Sequence, residues 1–183
     1  MSNKELDPYT AKAQNDNLTP QEKVDGLHAI VNSVKTGMLT TRSSDGSMHS
    51  RAMAPAGPFS PTQITLVFLA NRVSAKFDEI KNDDHVNVSF YDQSTTSWAS
   101  YSGVARITQD KDKIAKHWNS MIAAWFGDLG DGVHKGDQND PRVAVIEVIP
   151  AEVRAVSGNT AAPGELRTIT KDEIQLLQGI KSK

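Results

Sequence analysis

Met38-Leu39-Thr40-Thr41-Arg42-Ser43-Ser44-Asp45-Gly46-Ser47-Met48-His49-Ser50-Arg51-Ala52-Met53-Ala54 is the stretch that decides the fold. Two strand-like runs, Met38 to Arg42 and Ser47 to Ala54, flank a turn whose Asp45-Gly46 pair suits a hairpin. A hairpin makes its two strands antiparallel. A parallel α/β sheet would need a helix after every strand, and this turn leaves no room for one.

Upstream, Thr19-Pro20-Gln21-Glu22 is a helix start, with Thr as N-cap, Pro in the first turn and Glu closing a capping box. Val24, Leu27, Val31 and Val34 then mark one helical face, and Gly37 ends the helix or opens the next strand. Residues 1–18 are polar and aperiodic and read as a flexible tail. Downstream, Pro55, Gly57, Pro58 and Pro61 make a rigid loop. Ile64 to Leu69 is apolar on both faces, as in a central or barrel strand, and a short helix follows from Ser74 to about Asn82. Val86, Val88 and Phe90 alternate with polar residues as a fourth strand, and Ser97 to Thr108 forms a fifth. Lys111 to Phe126 reads as one helix and Arg142 to Val156 as a sixth strand. Thr170-Lys171-Asp172-Glu173 repeats the capping box before Ile174, Leu177 and Ile180. The expectation is a mainly β fold, a six-stranded antiparallel split barrel of Greek-key type with peripheral helices. It divides into the tail, a barrel domain over 19–157, and a C-terminal extension over 158–183 with a short helix.

Composition narrows the function. The chain has 183 residues and a net charge of -2, so nothing steers it toward nucleic acid or an anionic membrane. No run approaches the roughly 20 apolar residues of a membrane helix, and the first residues lack a leader's hydrophobic segment. Zero cysteines exclude disulfides, thiolate metal sites and cysteine nucleophiles. The expectation is a cytoplasmic protein.

Phe68-Leu69-Ala70-Asn71-Arg72-Val73-Ser74-Ala75-Lys76 carries the chemistry. An apolar strand runs into a Ser and a Lys that open a helix, where unpaired N–H groups and the positive dipole end suit a phosphate. Arg51, on the partner strand of the hairpin, adds a second cation. Two cations beside an apolar sheet describe a pocket for a phosphorylated flat ligand.

Gly37-Met38-Leu39-Thr40-Thr41, Asp45-Gly46, His49-Ser50-Arg51-Ala52-Met53, Leu66 to Leu69 with Ser74-x-Lys76, and Ser102-Gly103-x-Ala105 follow in order. Together they resemble the general-stress-protein branch of the pyridoxamine-phosphate-oxidase-like FMN-binding split barrels. Ala124 to Gly132 with Asp140-Pro141-Arg142 is similar to the fungal blue-light-inducible proteins of that branch. The resemblance spans about residues 20 to 157. It implies a homodimer with one FMN in each of two grooves between subunits. It also implies that Arg51 and Lys76 grip the phosphate, helped by Ser74 and the Ala75 amide. Ala52 and Met53 would present backbone to the isoalloxazine, Leu69 and Ala70 would line the pocket, and Trp98 would meet the flavin from the same sheet. Where relatives carry an aromatic after Pro-Ala-Glu, this chain has Val153-Arg154, which changes the wall that closes the groove.

Other residues read more simply. His49 is taken as a solvated strand histidine rather than an acid or base. Trp118, Ile122 and Trp125 fall on one face of the expected helix, so core or dimer packing is the default for them. Asp131, His134, Asp137 and Asp140 fit no EF-hand, and glycines 127, 130, 132 and 136 mark that stretch as a flexible loop without metal. The function expected is FMN-dependent oxidoreduction on an unidentified substrate. The alternative is a non-enzymatic flavin carrier or a stress- or light-response sensor. A pyridoxamine-phosphate oxidase would need cations for a second phosphate, for which Arg154 and Arg167 are the candidates.

Overall fold

The computed structural model describes residues 18–57, 59–159, 162–177 and 179, with 159 and 162–165 described by backbone alone. Apart from Leu18 the expected tail lies outside the described residues, as do Pro58 and Ile180. The first helix, α1 (Pro20–Val34), opens on the expected capping box: Thr19 accepts from the Glu22 amide while the Glu22 carboxylate accepts from the Thr19 N–H. Its buried face is Val24, Leu27, Ile30 and Val31, and Lys35 stops it in the left-handed region at φ 62°.

β1 (Gly37–Arg42) and β2 (Met48–Met53) form the hairpin, with Leu39 opposite Arg51 and Thr41 opposite His49. Asp45 accepts from the Ser47 amide and Gly46 takes φ 87°, so local side-chain chemistry closes the turn. β3 (Leu66–Asn71), α2 (Lys76–Asn82), β4 (His85–Tyr91) and β5 (Trp98–Thr108) follow, then α3 (Lys111–His117), α4 (Ser120–Ala123), β6 (Val143–Asn159), β7 (Ala162–Ile169) and α5 (Lys171–Leu177).

All pairings are antiparallel, in the order β2-β1-β4-β5-β6-β3, with β7 also on β6. The fold is therefore mainly antiparallel β with peripheral helices, as expected, but among the described residues the sheet holds seven strands rather than six and is not closed. β6 makes this possible by its length of 17 residues: its first part pairs with β3, and its later part pairs with β7. β7 comes from the C-terminal extension, where only a helix was expected. Ala161-Ala162-Pro163-Gly164 is turn-like in composition, and the strand is set by its distant partner, with Ile169 opposite Val153. Gly103 sits at a register shift between β5 and β6; a Cβ there would stand 2.1 Å from the Ile149 carbonyl oxygen.

Inside the curved sheet lie Phe68, Phe77, Phe90 and Tyr101, each no more than 2% exposed, together with α1. The Phe90 and Tyr101 rings meet edge-on at 5.9 Å between centroids. Burying side chains of this size contributes roughly 1.5–3 kcal/mol each. β3 and β6 are buried on both faces, because a second cluster of Val67, Ile114, Phe126, Val143 and Val145 covers their outer side.

The helix expected over 111–126 is broken. Trp118 is extended (ψ 134°), and the Asn119 side chain accepts from the amides of Met121 and Ile122, capping a new short helix instead of continuing the old one. Phe126, not Trp125, turns inward as a result, with its ring 5.7 Å from that of Trp118. Among the described residues no helix is long and apolar enough to cross a membrane.

Candidate functional site

The order of strands leaves β2 and β3 at the two ends of the main sheet path, and a cavity of about 460 Å³ lies between them. β2 and the loop after it contribute Arg51 to Gly57, and β3 contributes Leu69 to Asn71. The loop is pinned to β3, since the Ala56 amide donates to the Val67 carbonyl at 2.7 Å. Asn119, Met121, Ile122, Trp125 and Phe126 form the wall on the α4 side.

Six of the sequence-derived site residues line this cavity: Arg51, Ala52, Met53, Leu69, Ala70 and Lys76. Ser74 stands one step behind them. Its hydroxyl donates to the Asn71 carbonyl at 2.7 Å and accepts from Lys76 Nζ at 2.6 Å. Ser74 therefore orders a turn rather than capping α2. The N-cap position belongs to Ala75, which is exposed, has helical backbone angles and offers no side-chain cap. Trp98 is elsewhere. It begins β5, in register with Tyr91 and Val156, and is not part of the cavity lining. Arg154 pairs with Glu152 at 2.7 Å, and Arg167 lies against α1, where a Cβ on Gly26 would come within 2.4 Å of it. Neither lines the cavity.

Behind Arg51 sits a residue that the sequence did not single out. Glu79 on α2 is buried, and its carboxylate accepts from Arg51 Nη2 at 2.7 Å, meets His49 Nδ1 at 2.7 Å and accepts from the Thr41 hydroxyl. Arg51 Nη1 donates to Thr41 and to the Leu39 carbonyl. Burial pushes the Glu79 carboxyl up, but the bonds from Thr41, His49 and Arg51 outweigh it and hold the group down at about 2. Burial first, and the charge of Arg51 second, hold the Lys76 ammonium below the usual lysine value, while Glu79 acts the other way. No local spacing announces this role, because the partners of Glu79 lie 28 to 38 residues away in the chain. His49 stays half-exposed, as a strand histidine tied to a carboxylate.

The 128–140 stretch is ordered by its own polar groups. Asp131 accepts from the Val133 and His134 amides and pairs with His134 Nδ1 at 2.5 Å, and Asp128 accepts from Gly130 N–H. Asp140, with its side chain fully buried, pairs with Arg142 at 2.7 Å, and Arg142 Nη2 also donates to the Gly127 carbonyl at 2.8 Å. The Arg142 hydrogen bonds hold the Asp140 carboxyl far below the usual range against the opposing effect of burial. Gly136, at φ 68°, lets the loop return onto Phe126, whose carbonyl oxygen would stand 1.8 Å from any Cβ there. The flexible loop expected from its glycines is thus a latch against the wall of the cavity.

This architecture is shared with solved structures, and the sequence with a fungal relative. Protein bli-3 of Neurospora crassa is 39% identical over 192 aligned residues, which cover 94% of this chain and 91% of that protein. The fold is shared with general stress protein 26 of Bacillus anthracis, at 21% identity and a TM-score of 0.61, covering 81% of this chain and 98% of that one. It is shared too with a pyridoxamine 5'-phosphate oxidase-related, FMN binding protein of Nostoc punctiforme, at 16% identity and a TM-score of 0.61, covering 84% and 98%. The family model described as pyridoxamine 5'-phosphate oxidase like matches residues 22–171, so this chain belongs to that family.

Proposed function

We propose that the cavity binds FMN and that the protein is an FMN-dependent oxidoreductase acting as a homodimer. The observation that carries this reading is the charge pattern: among the lining residues only Arg51 and Lys76 are ionisable, and both are cations. The remaining lining is apolar apart from two asparagines, which fits a flat ring system joined to a phosphate. Arg51, aimed by Glu79, and Lys76, aimed by Ser74, would hold the phosphate, while Met53, Leu69 and Ala70 would bear on the ring. Bound there, FMN supplies hydride and single-electron transfer; the chain supplies orientation and keeps water from the ring.

The outer sheet face supports the dimer. Thr40 and Ser50 bond across β1 and β2 at 2.5 Å, and Asn87 donates to Ser100 at 2.9 Å, so the middle of the face carries small polar groups between longer side chains such as Arg42 and Arg154. Exposed Met38 and Tyr91 lie on the same face. Such a surface lets a second sheet approach closely in an isologous contact.

A specific observation also favours the carrier reading: the cavity lining contains no carboxylate, histidine or tyrosine to move a proton. Arg154 and Arg167 lie outside the lining, so among the described residues of one chain the cavity holds no further cations beyond Arg51 and Lys76 for a second phosphate. Titration with FMN and with riboflavin, followed by flavin fluorescence, tests the cofactor. Binding much tighter for FMN is the expected result, and equal affinities would remove the phosphate argument. Anaerobic reduction by NADH or NADPH, watched in the flavin band, then separates enzyme from carrier.

A further inference from the structure

Trp125 is 83% exposed, the highest value among the large apolar side chains described, yet it lines the cavity. Its backbone is held on both sides. The Trp125 amide donates to Ile122 at 3.0 Å and the Phe126 amide donates to Ala123 at 3.0 Å. Phe126, the next residue, is 3% exposed and packed on Trp118. Gly127 is fixed through its carbonyl by Arg142, which is itself locked by buried Asp140. The chain therefore presents a large indole on a rigid support and gives it almost no protein to pack against. An aromatic held in this way loses little conformational freedom when a flat partner covers it. Met121, 72% exposed, lines the cavity beside it and supplies a soft apolar neighbour.

We propose that Trp125 is a ligand-stacking residue: its indole covers the ring of the planar ligand in the cavity and closes the cavity from the α4 side. The assignment rests on the flavin reading, and its occupant is the fused aromatic ring itself rather than the phosphate or a second copy of the chain. The lining argues for the ring, since Trp125 shares the cavity with apolar Met53 and Leu69 and with no acid.

The test separates ring from phosphate by titrating lumiflavin, which is the ring without ribityl phosphate, alongside FMN. Trp125→Ala is expected to weaken both ligands by the same factor, roughly 5- to 100-fold. Lys76→Ala should weaken FMN alone. Trp125→Phe should recover most of the affinity, and lumiflavin should quench in the wild type the tryptophan emission that Trp125→Phe lacks. The melting temperature of Trp125→Ala should stay near wild type, because the side chain is exposed. Unchanged affinity for both ligands in Trp125→Ala overturns the stacking role while leaving the flavin reading intact. So does a variant whose only change is loss of dimer mass in light scattering, which assigns the indole to a second copy. Wild-type protein that binds neither ligand removes the flavin reading, and this assignment with it.

Discussion

The Glu79 carboxylate accepts from Arg51 Nη2 at 2.7 Å, tying a buried position on α2 to an edge strand 28 residues earlier in the chain. Because the same carboxylate also takes Thr41 and His49, three side chains of the first hairpin are fixed to one point. Arg51 thereby reaches the cavity in one orientation instead of several, and less freedom remains to be lost when a phosphate arrives.

The first prediction concerns acid. Glu79 titrates near 2 in the fold, below its ordinary value of 4.5. A carboxyl depressed by folding contributes stability that is complete above the unfolded value and is lost as pH falls toward the folded one. Wild-type protein should therefore lose stability between about pH 4.5 and 2 more steeply than Glu79→Gln, which has no such proton to take up. Glu79→Ala leaves Arg51 without its anion and should cost about 2–4 kcal/mol at neutral pH. Urea unfolding across this pH range measures both. Parallel pH profiles for wild type and Glu79→Gln would show that the carboxylate is not held as described.

The second prediction concerns Lys76. Its ammonium is disfavoured by burial and by Arg51, and the negative charge of a phosphate would offset both effects. Lys76→Ala removes one charge-assisted contact, worth about 1.5–3 kcal/mol, so FMN affinity should fall roughly 10- to 100-fold. Riboflavin affinity should not move. The apo protein should melt within a few degrees of wild type, because the substitution also removes repulsion with Arg51. Equal losses for both ligands would relocate the phosphate.

Much of this architecture was legible because it is set locally. Ser43 to Gly46 carries its own turn chemistry, and Thr19 to Glu22 carries its own cap. Arg51 and Lys76 were legible as cations flanking apolar strands. Features set by distant partners were not. β7 exists because β6 is long enough to receive it, a fact that the composition around Pro163 conceals. A single helical period over residues 111–126 puts Trp125 on the inner face, but Asn119 breaks that period, which sends Phe126 inward and Trp125 outward. Glu79 looked like an ordinary helix carboxylate, since its partners lie 28 to 38 residues away.

A third prediction tests the latch. The Asp140 side chain is fully buried, whereas Arg142 is only partly buried, with side-chain exposures of 0% and 14%. Removing one member leaves the other charged and unpaired, so Asp140→Ala and Arg142→Met should each lower the melting temperature. A double substitution to apolar residues should cost less than the sum of the two, because no lone charge remains. Arg142→Met also frees the Gly127 carbonyl, so the tryptophan emission should become less anisotropic. Additive losses with unchanged anisotropy would show that the pair does not hold the cavity wall.

The last prediction concerns the outer sheet face. Ser100 lies near its middle, bonded to Asn87 and opposite Arg154 in register. If two copies meet through this face, Ser100→Arg inserts a long cation facing its own symmetry mate and next to Arg154, which an isologous contact doubles. Light scattering should then report 19.9 kDa for the variant and twice that for wild type. On a free face the same change costs only one hydrogen bond between small polar groups, about 1 kcal/mol, and mass does not change. Circular dichroism and melting on the same samples show that the sheet is intact in either case. A monomeric, folded Ser100→Arg protein that has also lost FMN affinity would place the cavity at the subunit boundary. Retained affinity in a folded monomer would mean that the Arg51–Lys76 cavity is complete within a single chain.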